Sequence, residues 1–105
     1  MRSALEELAR VASSLGAAEV RAEARRGRSG EWSLEVEARG LGGCGASVLS
    51  ALARILEALG SSGGLCEVKV EVLCTRVFRS CDARLTYTVE GPGGLEVVNE
   101  VRVRV

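Results

Sequence analysis

The chain has 105 residues, 47% of them apolar, which is enough for one domain (residues 1–105) built around one hydrophobic core. Fourteen basic side chains balance fourteen acidic ones, so the basic excess of a dedicated nucleic-acid binder is missing, although a local basic patch inside a larger assembly stays compatible with this balance. Histidine is absent, which excludes Cys–His and Ser–His nucleophile pairs, histidine proton transfer and histidine metal ligands.

The sequence predicts a cytoplasmic protein without a membrane span. No apolar run approaches the roughly 20 residues that cross a bilayer, and Glu6 and Glu7 stand where a signal peptide would be apolar. The basic residues are Arg except for Lys69, Gln is absent, and Asn99 is the sole Asn. This poverty in heat-labile side chains favours a thermophilic source. A GC-rich genome would also give Arg in place of Lys.

In the first part of the chain, the apolar spacing changes from a helical period to a period of two. Residues 3–15 have the helical spacing, and Gly16 follows them as a stop signal. Two alternating segments follow, separated by a turn at 27–30, and they predict a hairpin with one buried and one wet face. The residues expected on its buried face are Ala18, Val20, Ala22, Ala24, Trp32, Leu34, Val36 and Ala38.

The second part contains one more helix and three more strands. Residues 46–59 return to helical spacing, and the glycine- and serine-rich segment 60–64 ends that helix. Strands are predicted from residue 66 to 74, from 83 to 89, and from 95 to the end, with a turn at 91–94. The order is α-β-β-α-β-β-β, and helices on one face of a mostly antiparallel sheet are its natural packing.

Two features suggest chemistry, and each has a simpler explanation. Gly40, Gly42 and Gly45 match the spacing of the dinucleotide fingerprint, but the preceding strand belongs to a hairpin, so a flexible connection explains them better. Cys44 stands before the second predicted helix, where a thiol pKa is lowered by the helix dipole. Without a histidine base, a small semi-buried residue is the favoured interpretation, with a thiol-dependent enzyme as the alternative. The wet sheet face offers interleaved charges and no acid–base pair.

The remaining cysteines do not have the spacing of a zinc site. Cys66, Cys74 and Cys81 are separated by seven and six residues, whereas zinc ligands usually pair two to four residues apart. No metal or cofactor is therefore predicted. All four cysteines are compatible with core positions. A Cys74–Cys81 disulfide across a hairpin is the alternative, since intracellular disulfides occur in hyperthermophiles.

Several segments together resemble one family of RNA-associated proteins. They are Leu15-Gly16-Ala17-Ala18 at the end of the first helix, Arg39 at the end of a strand, Ser50-Ala51-Leu52 in the second helix, Val70-Glu71-Val72-Leu73, and Phe78-Arg79-Ser80-Cys81. In order and spacing these resemble the Pop-five family, protein component 2 of archaeal and eukaryotic ribonuclease P, over about residues 5–87. The resemblance implies an α+β two-layer sandwich, a ferredoxin-like (RNP-type) variant.

The chain departs from that family in three places. The family's first strand is missing, its Ser-Gly-Thr-Ile-Arg signature is replaced by residues 75–79, and residues 83–105 add strands. A C-terminal strand is expected to fill the slot of the missing strand, since an open slot would expose backbone groups.

The resemblance implies a non-catalytic subunit that helps the catalytic RNA in tRNA 5′ maturation. Its implied partners are protein component 3 and the ribonuclease P RNA, with paired copies of the chain in the complex. Arg76 and Arg79, with Arg39 third, are the expected RNA or partner contacts, and surface solubility is their alternative role.

A second interpretation is a small dimerising interaction module without RNA binding. The same element order resembles roadblock-type domains, in which case residues 101–105 form an edge strand that pairs across a dimer.

Overall fold

The computed structural model describes residues 1–40, 45–60, 63–77 and 79–105. Within them, two helices and five strands follow the predicted order α-β-β-α-β-β-β. They are α1 (Arg2–Ser14), β1 (Glu19–Arg26), β2 (Trp32–Arg39), α2 (Ala46–Gly60), β3 (Leu65–Thr75), β4 (Ser80–Glu90) and β5 (Glu96–Arg104), with a 3-10 turn at Pro92–Gly94. Neither described helix is long and apolar enough to cross a membrane.

The strands form one sheet with the order β2-β1-β3-β4-β5, in which every neighbouring pair is antiparallel. Both helices contribute to one core with the sheet. The predicted α+β two-layer, ferredoxin-like sandwich is therefore confirmed in its layers and element order.

The expectation that a C-terminal strand fills an internal slot is wrong. β1 pairs directly with β3, placing Val20 opposite Val72, and β4 and β5 extend the sheet beyond β3. Charge explains this neighbour, because Arg21 and Glu23 of β1 lie opposite Glu71 and Lys69 of β3. The hairpin itself therefore covers β3, and no slot is left open.

The core lies between the helices and one face of the sheet. α1 packs against α2, β3, β4 and β5, and α2 packs against β3. Each fully buried aliphatic side chain contributes about 1.5–3 kcal/mol relative to its exposed state. The largest fully buried side chains are Leu5, Leu8, Val20, Val48, Ile55, Val68, Val72, Cys81 and Leu85.

The second strand of the hairpin does not have the predicted buried face. Trp32, Leu34 and Val36 remain 46%, 52% and 38% exposed. β2 is an edge strand, and the main sheet contacts of the two helices are with β3, β4 and β5. The prediction was wrong here because alternation identifies which side chains share a face but does not show how far the opposite layer extends.

The face of the sheet opposite the helices carries interleaved charges. Ion pairs on this face join Arg25 with Glu23 and Glu67, and Arg84 with Glu71 and Glu100. These pairs are exposed, so each contributes little to stability, but opposite charges across strands help to fix the register.

Asp82 and Arg104 pair across β4 and β5 on this face. Arg104 donates from Nε to Asp82 Oδ1 at 2.7 Å and from Nη2 to Oδ2 at 3.3 Å. These hydrogen bonds outweigh the opposing effect of desolvation and, together with the charge of the guanidinium, hold the pKa of Asp82 below its ordinary value of 3.8.

We predict that an NMR titration of Asp82 has its midpoint below 3.8, and that Arg104→Ala raises this midpoint. Because the folded-state pKa is depressed, the stabilisation from this pair is present above the unfolded-state pKa and is lost as pH falls through the folded-state pKa. Arg102→Ala is the matched control, since Arg102 pairs with Glu100 instead. An Asp82 midpoint unaffected by Arg104→Ala would contradict this assignment.

A glycine in the left-handed region ends α1. Gly16 has φ +70°, its N–H donates to Ser13 O, and the Ala17 N–H donates to Ala12 O. This is the Schellman pattern, which satisfies the last helical carbonyls and turns the chain into β1. The stop signal in the sequence thus corresponds to a backbone conformation that glycine adopts without strain.

Gly16→Ala is expected to lower the free energy of unfolding by about 1 kcal/mol, because alanine is strained in the left-handed region. The added Cβ would meet no atom within 4 Å, so the effect isolates the backbone conformation. Gly60→Ala is the control, since it also points into open space but has no positive φ. Urea unfolding measures both, and equal effects of the two changes would argue against the assignment.

Candidate functional site

The three arginines singled out by the sequence lie at the same end of the sheet. Arg76 and Arg79 belong to the turn between β3 and β4, and Arg39 is the last residue of β2. The register shows the shared end, because Glu19 of β1 lies opposite both Arg39 and Leu73. Arg39 is separated from β3 by β1 and binds Glu37, so it lies apart from the other two.

A disulfide closes the base of this turn. Cys74 lies opposite Cys81, their Cα atoms are 4.0 Å apart, and their sulfurs are bonded. The Cys74 N–H donates to Ala18 O and the Cys81 N–H donates to Val105 O, so each N–H points away from the other cysteine. Cys74 and Cys81 are therefore a non-hydrogen-bonded pair of the β3–β4 ladder. Such pairs bring opposing Cα atoms closest in an antiparallel sheet, which suits a short crosslink.

Hydroxyl groups brace the turn above the disulfide. Thr75 Oγ1 lies 3.4 Å from Ser80 O and 3.2 Å from Ser80 Oγ. Val77 is 87% exposed, and Arg76 and Arg79 are exposed beside it. Phe78 lies outside the described residues. The disulfide and the hydroxyl contacts thus present a short, constrained segment to solvent.

Arg79 has a left-handed backbone, with φ +48°. Among the described residues it is the one non-glycine residue with positive φ. This conformation costs about 1–2 kcal/mol and persists where the surroundings impose it. Residues held in this way are concentrated at functional sites, which makes this turn a candidate site.

The charges of Arg76 and Arg79 are not neutralised within the fold. Of the basic side chains that the structure describes, Arg28, Arg76 and Arg79 make no ion pair within 4.0 Å; all the others do. Arg28 lies in the β1–β2 turn, at the opposite end of the sheet. The β3–β4 turn therefore holds two guanidinium groups that make no ion pair within the described residues.

A shallow depression of about 410 Å³ lies beside the turn and is suited to an anion. Its lining includes Arg76, Arg79 and the hydroxyl-bearing residues Ser13, Thr75 and Ser80, and it contains no carboxylate. Guanidinium and hydroxyl groups both donate hydrogen bonds to phosphate or carboxylate oxygens. By contrast, the depression on the open sheet face mixes arginines and lysine with four glutamates.

The hydroxyl groups of Ser13, Thr75 and Ser80 at this site are not predicted from the sequence. Ser13 comes from the last turn of α1, some sixty residues before Thr75, and only packing brings them to one depression. The sequence also missed an apolar groove of about 460 Å³ between α2 and β2, lined by Trp32, Leu34 and Leu56 among others. The apolar alternation of β2 is the signal of this groove in the sequence, where it predicts a buried face.

The other chemical features of the sequence do not form a site in the described residues. No group of three or more Cys, Asp or Glu side chains that could hold a metal ion occurs among them. Cys44, considered as a reactive thiol, lies outside these residues, as does Gly42 of the glycine motif. Cys66 is a free thiol on β3.

Comparison with protein-family models, with curated proteins and with solved structures finds no match to this chain.

Removing the crosslink with Cys74→Ala/Cys81→Ala is expected to lower the free energy of unfolding by roughly 2 kcal/mol, the loop-closure value for so short a separation. Chemical denaturation with and without reductant measures this. The wild-type chain should lose stability with reductant and the double variant should not respond. Cys66→Ala, at a thiol outside the disulfide, is the control and should keep the reductant response. A wild-type unfolding curve that ignores reductant would contradict the expectation.

Proposed function

We propose that this chain is a non-catalytic accessory subunit of ribonuclease P that contacts RNA phosphates through the β3–β4 turn. The observation that carries the proposal is that neither Arg76 nor Arg79 makes an ion pair within the described residues. Both lie beside a depression without carboxylates, on a turn closed by a disulfide. The segment resemblance to the Pop-five family supplies the choice of complex. In this proposal the chain acts in the cytoplasm, and the RNA performs the phosphodiester chemistry.

The charge distribution supports the turn, and not the sheet surface, as the RNA contact. RNA-binding sheets expose aromatic side chains on which bases stack. The open face here carries interleaved acids and bases, and Trp32 and Tyr87 share the apolar faces of their strands instead. A phosphate contact needs donors and positive charge but no aromatic platform, which matches the turn.

The neutral net charge limits how tightly the chain alone would hold RNA. Phosphate contacts dominate affinity and weaken steeply with salt, in proportion to their number. Two free arginines supply few contacts, so the proposed subunit binds RNA productively only when protein component 3 orients it. The constrained turn helps here, because little conformational freedom is lost when it meets a phosphate.

The test is co-purification with protein component 3 of the same organism, followed by cleavage of precursor tRNA with the cognate RNA. We expect a stable complex that stimulates cleavage. Arg76→Ala and Arg79→Ala should each reduce the stimulation about tenfold and lower the slope of log affinity against log salt by about 1. Arg28→Ala is the matched control, an unpaired arginine in a turn at the other end of the sheet, and should retain full stimulation.

Two results would count against the proposal. If all three arginine variants behave alike, the turn is not the contact. If the wild-type chain neither binds component 3 nor stimulates cleavage, the ribonuclease P assignment fails and an interaction module without RNA replaces it.

A further inference from the structure

The last strand, β5, forms one edge of the sheet, and half of its backbone N–H and C=O groups point away from β4. β5 runs for nine residues, and its pairing with β4 shows no register shift. Cys81 and Val105 exchange both backbone hydrogen bonds, so odd-numbered residues of β5 bond to β4. The N–H and C=O groups of Val98, Glu100, Arg102 and Arg104 therefore point away from the sheet, with no strand beside them among the described residues.

From this edge we infer that the chain forms a two-fold homodimer in which β5 pairs antiparallel with β5 of a second copy. The inference rests on the edge itself and not on the ribonuclease P proposal. Edge strands usually carry features that block such pairing, including proline, bulges and inward charges. β5 has none of these within Glu96–Arg104.

The charges of β5 are complementary to themselves in one register. With Val101 on the two-fold axis, Glu100 of each copy lies opposite Arg102 of the other. Val98 then lies opposite Arg104, so no two like charges face each other. Opposite charges across strands stabilise a pair of strands, and like charges destabilise it.

The backbone and the strand length select the same register. Only even-numbered residues of β5 have outward backbone groups, so allowed registers differ by shifts that keep even opposite even. Moving the axis by one residue places either Glu100 opposite Glu100 or Arg102 opposite Arg102. The register centred on Val101 also pairs every residue from 97 to 105, which gives the longest ladder.

The exposed valine side chains of β5 are consistent with an edge that a second copy of the chain covers. Val97 and Val105 are 55% and 36% exposed, and the proposed register places them opposite each other at both ends of the ladder. Val98 is 65% exposed on the other face. The pairing would therefore cover valine side chains at the same time as it satisfies the backbone groups.

The other edge does not suit self-pairing. β2 carries Glu35 and Glu37 on the face where β5 carries Glu100 and Arg102. A two-fold axis at Val36 would place Glu35 opposite Glu37, and an axis at either glutamate would place that residue opposite itself. Like charges in each central register make β5, and not β2, the self-association edge.

Sedimentation equilibrium of the wild-type chain, without RNA or other protein, tests the inference. We expect the 11.0 kDa chain to sediment at twice its mass as the concentration rises from micromolar to millimolar. A chain that stays at its monomer mass over this range overturns the proposal. Neither outcome bears on the cleavage assay, so the two proposals fail separately.

Charge exchange tests the register. Glu100→Arg creates like-charge contacts with Arg102, and Arg102→Glu creates them with Glu100. Because the two-fold axis makes each contact occur twice, each change alone should weaken dimerisation about tenfold. An equimolar mixture of the two single variants should dimerise again, because a copy with two arginines then meets a copy with two glutamates. A merely destabilised fold would not be rescued by mixing, and circular dichroism checks the fold of each variant.

Glu35→Arg on β2 is the matched control and should leave the dimer unchanged. Failure of the mixed single variants to recover association overturns the register, as does loss of the dimer in Glu35→Arg with retention in the β5 variants.

Discussion

The antiparallel pairing of β1 with β3 is the contact on which the rest of the structure depends. It joins the hairpin near the N-terminus to the three-stranded meander near the C-terminus, across some fifty residues of chain. Val20 packs opposite Val72 on the core face while Arg21 lies opposite Glu71 on the other. Burial and charge therefore specify the same neighbour and the same register. Once it forms, β2 and β5 become the two edges of the sheet.

Both proposed binding surfaces, the β3–β4 turn and the β5 edge, follow from the pairing of β1 with β3. The β3–β4 turn projects from the sheet end where β1 begins, so the end of α1 lies beside it and Ser13 shares its depression. The hydrogen bond from Cys74 N–H to Ala18 O ties the base of the turn to the start of β1. The β5 edge is free because the meander grows outward from β3. One end of the sheet thus presents the arginine side chains of the β3–β4 turn. The β5 edge presents backbone N–H and C=O groups.

The secondary structure was predictable because local periods carried it. The helix expected over residues 3–15 is observed as Arg2–Ser14, and the one expected over 46–59 is observed as Ala46–Gly60. Gly16 marked the helix end, and its positive φ explains why. The failure was β2, whose alternation suited a buried face while Trp32 and Leu34 remain about half exposed. The alternation within a hairpin does not predict whether the helices extend far enough to cover both of its strands.

By itself the sequence determined the order of the elements, which strand side chains share a face, and the position of Arg76 and Arg79 between two predicted strands. Those features depend on spacings of two to four residues, which are local. Only the tertiary structure decided that β1 is the neighbour of β3, that Cys74 is bonded to Cys81, and which arginines keep their charge unpaired. These depend on which distant segments meet. The apolar alternation of β1 and β2 is alike, and their charges distinguish the two strands only once each is set against β3.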